Sequence, residues 1–182
     1  VDKAVLTQQV LAGAAAPASR ILPPAFPGTQ LAIEPLAYDP VGARSALGLA
    51  GYLTGASLPP VIFSYADEGD NQRVADALQG FWRDTLGIDV VLEPLPLNAF
   101  VERLDGTTLD PAAPSSLQFY LSTWGADYFD PHNFLSLQLR SDSPFNNGRW
   151  INAAFDALTL EADRLSSGSA AAERFQLYNQ AE

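Results

Sequence analysis

Apolar residues follow helical spacing in some segments and strand spacing in others. In "NQRVADALQGFWRDTLG" (71–87), Val74, Ala75, Leu78, Phe81, Trp82 and Leu86 share one side of a helix, and Gly87 stands at its C-cap. Phe81 and Trp82 are therefore expected in the core. "VIFSYA" (61–66) and "IDVVLEPL" (88–95) flank this helix as short β-rich runs. Strand, helix, strand in that order predicts parallel pairing through a right-handed crossover. "SLQFYLSTW" (116–124) predicts a third strand, with Leu117, Phe119 and Leu121 alternating with Gln118, Tyr120 and Ser122. Phe119 and Tyr120 then point to opposite faces, and one of them faces the core.

Further helices are predicted over 2–11, stopped by Gly13, and over 38–52. In the second, Asp39 is the N-cap, Pro40 takes the first helical position and Gly51 closes the end. Shorter helical patterns cover 97–104 and 130–138. Two terminal helices, 152–165 and 170–182, are split by "SSGS". Residues 13–39 hold Pro17, Pro23, Pro24, Pro27 and Pro35, which excludes a helix or a central strand there. They predict a loop or wrapping arm with room for one short edge strand. The fold class is α/β, a small sheet flanked by helices with a Pro-rich arm. No internal repeat and no long linker is visible, so 1–182 is read as a single domain. Ligands of open α/β sheets sit outside the carboxyl ends of the strands, and 124–131 follows the third predicted strand.

Composition narrows the function. The 182 residues carry 47% hydrophobic and 17% charged side chains, a globular balance. A net charge of -11 with only 10 Lys and Arg argues against nucleic acid and against anionic lipid. The chain has 0 Cys, which removes thiol catalysis, disulfides and cysteine zinc sites. No run approaches the ~18 apolar residues of a membrane helix, and no signal peptide is seen. "VDKAVL" at the start and "FQLYNQAE" at the end both read as helix, so an excised domain is expected.

Catalytic chemistry finds little support. The single His is His132, no G-x-S-x-G elbow exists, and "GLAGYLTG" lacks the spacing of a phosphate loop. Asp130 and His132 have no second ligand cluster for a metal, so no metal or other cofactor is expected. His132 reads as a residue that follows the turn at Pro131. Carboxylate pairs are unspecific among 21 acidic residues. Asp127, in "STWGADYFDP" (122–131), is more informative. Asp130 directly precedes Pro131 and suits a helix cap, which leaves Asp127 without that task. Two readings stand: a turn residue, or a ligand anchor. An anchoring carboxylate would attract an ammonium at roughly 1.5–3 kcal/mol, with Trp124 and Tyr128 as flat walls.

The ordered motifs resemble a known family. "VDKAVLTQQVLAGAAAPASRILPP", "YDPVGARSALGLAGY", "NQRVADALQGFWRDTLGIDVVLE", "TWGADYFDPHNFL" and "INAAFDALTLEA" are similar, in order, to motifs of the extracellular solute-binding proteins of family 5. These receptors feed dipeptide, oligopeptide and nickel ABC importers. The resemblance covers the whole chain and matches the carboxyl-terminal lobe only. It implies a periplasmic-binding-protein type II lobe with a small mixed sheet, one of two lobes that close on ligand. It implies an extracytoplasmic binding protein, periplasmic or lipid-tethered, that is not an enzyme and works with a membrane permease. It implies that Asp127 grips a peptide α-ammonium, with Trp124, Gly125 and Tyr128 beside it. The family often has a large aromatic at the start of the helix that begins at Leu97. Leu97 and Val101 instead predict a more apolar wall, and receptors for sugars or metal chelates belong to the same family. A carboxylate hydrolase is the alternative from another class.

Overall fold

A computed structural model describes residues 1–29, 37–166 and 168–182. They form two compact units. The first holds Val1–Pro17 and Ala37–Ser122; the second holds 18–29, 123–166 and 168–182.

The first unit opens with helix α1 (Lys3–Val5), whose amides Ala4 and Val5 both donate to Asp2 Oδ1 at 3.0 Å. It widens into a π-helical turn, Leu6–Val10. Thr7 Oγ1 donates to the Lys3 carbonyl at 3.0 Å there, a back-bond that competes with the helix ladder. Helix α2 (Pro40–Leu49) starts as expected: Gly42 N–H donates to Asp39 Oδ1 at 2.8 Å, and Gly51 follows it with φ +91°.

Strand β1 (Val61–Ala66), helix α3 (Asn71–Leu86) and strand β2 (Val90–Leu95) form the predicted β-α-β unit. Gly87 closes α3 in the left-handed region, with its N–H on the Arg83 carbonyl at 2.9 Å. Helix α4 (Leu97–Leu109) follows β2, and β3 (Phe119–Leu121) completes a sheet of order β2-β1-β3. A mixed sheet is expected from the resemblance; both pairings are parallel. Each strand returns through a helix, which is how parallel neighbours are joined. Pro94 is tolerated within β2 because β2 is an edge strand, where a ladder donor can be spared.

One sheet face packs on α3 through Phe63, Tyr65, Ala75, Leu78 and Val90. The other carries Ala66 against Phe100 and Leu104 of α4. Phe81 and Trp82 are half-buried at the edge of the first cluster rather than inside it.

Two element lengths differ from expectation. α4 runs past residue 104 to Leu109, and the Thr107 and Thr108 hydroxyls donate to the Arg103 and Leu104 carbonyls at 2.7 and 3.1 Å. Thr107 Oγ1 also accepts the Leu117 N–H at 2.7 Å. That bond holds Leu117 against α4, so the third strand starts only at Phe119 and the alternation predicted from 117 fails. Phe119 stacks near Phe63 and Trp82 on the α3 side, and Tyr120 faces Phe100 on the other. Neither is fully buried.

The second unit has a helical core. Residues 130–138, read as one helix, are a 3₁₀ turn (Pro131–Asn133) and a short helix α5 (Ser136–Leu139). Helices α6 (Ala153–Arg164) and α7 (Ala171–Ala181) match the two terminal patterns, and Asn152 caps α6. The Pro-rich stretch supplies Leu22 and Phe26 to the core of Leu135, Phe155, Ala162 and Tyr178. Arg20 pairs with Glu182, whose Oε1 also takes the Leu22 N–H at 2.8 Å. The edge strand allowed for within 13–39 has no counterpart in 13–29, and 30–36 lie outside the described residues.

Candidate functional site

Asp130 is the cap that its place before Pro131 predicts. Its Oδ1 accepts the His132 N–H at 2.9 Å and also Arg174 Nη2 at 2.7 Å. Arg174 is only 7% exposed, and its Nη1 holds the Ala162 and Leu165 carbonyls at 2.6 and 3.2 Å. The 3₁₀ turn is thereby tied to the end of α6 and the face of α7.

That turn positions the residues before it. Asn133, 0% exposed, accepts the Trp124 indole N–H at 2.7 Å. An indole nitrogen only donates, so the amide oxygen must face it. Phe145 packs edge-on against Trp124, with ring centroids 5.5 Å apart. The Tyr128 hydroxyl meets His132 Nδ1 at 2.5 Å. Burial pushes the Tyr128 phenol above its ordinary pKa, and the carboxylates of Asp130, Asp127 and Asp163 push the same way. His132 Nε2 lies 3.8 Å from Asp163 Oδ2. Asp163 also takes Ser136 Oγ at 2.9 Å, Arg140 Nη1 at 2.8 Å and the Tyr178 hydroxyl.

Asp127 stands apart from this network. It is exposed, and it makes no hydrogen bond or ion pair with the described residues. Gly125 is exposed too, and an added Cβ there would meet nothing within 4 Å. The second unit thus brings Trp124, Gly125, Asp127 and Tyr128 together on one held loop. Leu97 and Val101 belong to the first unit. They lie one turn apart on α4, immediately after β2, and are 45% and 46% exposed. They form an apolar stripe at the carboxyl end of that strand.

Sequence reasoning missed Asn133, Phe145, Asp163 and Arg174 as supports, and read His132 as a turn residue only. The four-residue spacing of Tyr128 and His132 was the available signal. Nothing local marks a polar Asn133 for full burial.

Residues 1–146 match the bacterial extracellular solute-binding proteins, family 5 middle part. The probable deoxycholate-binding periplasmic protein of Escherichia coli is 30% identical over 187 residues, covering 100% of this chain and 32% of that protein. The dipeptide-binding protein of Bacillus subtilis is 30% identical over 125 residues, 69% of this chain and 21% of its own length. Among solved structures, the Escherichia coli murein tripeptide binding protein in its unliganded open form superposes with a TM-score of 0.81 at 25% identity, over 100% of this chain and 34% of that one. The chain thus spans about a third of the length of such relatives. With the α/β architecture and the aromatic–carboxylate loop in place, this chain belongs to the bacterial extracellular solute-binding proteins of family 5.

Proposed function

We propose that this chain is a ligand-binding lobe, both compact units included, of a larger two-lobed receptor that captures peptides outside the cytoplasm, in the periplasm or tethered by lipid, for an ABC permease. It binds and releases; it does not catalyse. The observation that carries this is Asp127, a carboxylate without a partner among the described residues, on a loop whose neighbours Trp124 and Tyr128 are both fixed. A carboxylate left free beside immobilised aromatics fits the one feature shared by peptides of any sequence, the α-ammonium. Gly125 leaves the loop open to main chain. Leu97 and Val101 offer a separate apolar contact on the first unit.

Calorimetry on the intact, ligand-stripped receptor tests this. A mixed tripeptide pool should bind, the same pool N-acetylated should not, and Asp127→Asn should weaken the first by roughly 10- to 100-fold, the equivalent of one charge-assisted hydrogen bond. Unchanged affinity in Asp127→Asn would remove the anchor.

One observation favours a second reading. The exposed Leu97–Val101 stripe, and the similarity to a probable deoxycholate-binding protein, fit an apolar ligand without an ammonium. Binding of deoxycholate but of neither peptide pool would select it.

A further inference from the structure

Tyr128 sits next to the unpartnered Asp127, and its hydroxyl is bonded to one ring nitrogen of His132 at 2.5 Å. The direction of that bond follows from the other ring nitrogen. Asp163 Oδ2 lies 3.8 Å from Nε2. With the proton on Nδ1, the bare Nε2 lone pair would face a carboxylate oxygen. With the proton on Nε2, the N–H faces it instead, and the carboxylate selects this tautomer. Nδ1 then has only a lone pair and must accept. The Tyr128 hydroxyl donates, and its oxygen keeps its lone pairs for another donor.

We propose that His132 is a positioning residue that sets the hydrogen-bond polarity of Tyr128. While the imidazole is neutral, the Tyr128 oxygen offers a second acceptor one residue along the loop from Asp127; once the imidazole is protonated, the hydroxyl becomes a donor. This rests on the reading of Asp127 as an ammonium site. An ammonium has three donors and no acceptor, so the neutral state suits it. Protonation puts a hydrogen on Nδ1, which donates to the phenol oxygen and turns the phenol proton outward. It also adds a positive charge near the bound ammonium. Both changes oppose the same ligand.

Three carboxylates and two guanidiniums surround the imidazole. From α6, Asp163 faces it, with Arg140 from the end of α5 on the same carboxylate and Asp142 sharing that guanidinium. From α7, Tyr178 donates to Asp163, and Arg174 holds Asp130. Tyr128 is 43% exposed, so its oxygen is within a ligand's reach.

The test is the affinity of the intact receptor for trialanine between pH 5 and 7, at constant ionic strength. Free Asp carboxylates (about 3.9) and peptide amines (about 7.7–8.0) ordinarily titrate outside this window. The wild type should bind about threefold more weakly at pH 5 than at pH 7, the scale of a partly exposed charge pair. His132→Gln should give a flat profile, and Tyr128→Phe a shallower slope than the wild type, because the imidazolium charge remains when the hydroxyl is gone. A flat wild-type profile, or a slope retained in His132→Gln, overturns the proposal and leaves the ammonium site standing. No binding of trialanine by the wild type at pH 7 overturns the ammonium site and this proposal with it. A ligand-free measurement adds a second check. The ring ¹⁵N shifts of His132, assigned by their absence in His132→Gln, should report a proton on Nε2 at pH 7.5; a proton on Nδ1 overturns the proposal.

Discussion

Arg174→Met should loosen the second unit and the site loop together. The guanidinium is buried and serves three acceptors: the Ala162 carbonyl at 2.6 Å, the Leu165 carbonyl at 3.2 Å and Asp130 Oδ1 at 2.7 Å. The first two belong to the last turn of α6, the negative end of its dipole, where a cation is favoured. Met keeps an apolar stem of similar length but gives up the guanidinium over the Tyr178 ring, 4.9 Å from its centroid, a contact worth about 1 kcal/mol or less beside the pairing below. What remains is a carboxylate and two carbonyls stripped of their donor. Breaking a buried pair costs about 3–5 kcal/mol, and the low end applies because the Asp130 side chain keeps 22% exposure. About 3 kcal/mol is therefore expected. Arg174→Lys keeps the charge but loses the fork, and about half that cost follows. Peptide-resolved hydrogen exchange on the intact chain is the assay. Amides of α6, α7 and the 131–133 turn should lose protection by that amount, while β1 and α3 keep theirs. Asp130→Asn combined with Arg174→Met should fall short of additivity by about 1.5 kcal/mol. A loss below about 1 kcal/mol in Arg174→Met, or strict additivity in the pair, would refute this account of the turn.

Two further expectations concern the first unit. Gly55→Ala should cost more than Gly87→Ala. The new Cβ at 55 would lie 2.4 Å from Ile88 Cγ1 and 2.6 Å from the backbone at Gly87 and Ile88, so about 2–3 kcal/mol is expected; at 87 only the left-handed φ of +67° is violated, at about 1 kcal/mol. Urea midpoints in the reverse order would contradict the geometry. For Glu93, burial pushes the carboxyl up, but the Ser64 hydrogen bond at 2.6 Å and Arg103 at 2.9 Å outweigh it and hold the group below the usual carboxylate range. A depressed folded-state pKa stabilises the fold above the ordinary carboxylate range, and that stability is lost as pH falls through the depressed value. Glu93→Gln should flatten this part of an acid-unfolding curve; an unchanged acid limb would show that the pair contributes nothing.

Much of the fold was legible because its determinants are local. Asp39 and Asp130 cap their helical turns with their own side chains, three and two residues on. The α3 stripe and Gly87 mark a helix and its end within one stretch of chain. Asp127 could also be singled out by elimination, since its neighbour Asp130 takes the cap. Other features depended on partners distant in sequence. A hydrogen bond from Leu117 to Thr107 held Leu117 against α4 and shortened β3, against an alternation that read cleanly on its own. Leu22 and Phe26 entered a core because α6 and α7 offered apolar faces to a proline-rich segment with no period of its own. His132 read as a turn residue until Asp163, 31 positions along the chain, was placed against its second nitrogen. Caps, stripes and punctuation act through bonds that close within a few residues, so the sequence by itself determined them. The pairing of buried polar groups closes across tens of residues, and only the tertiary structure decided which donor met which acceptor.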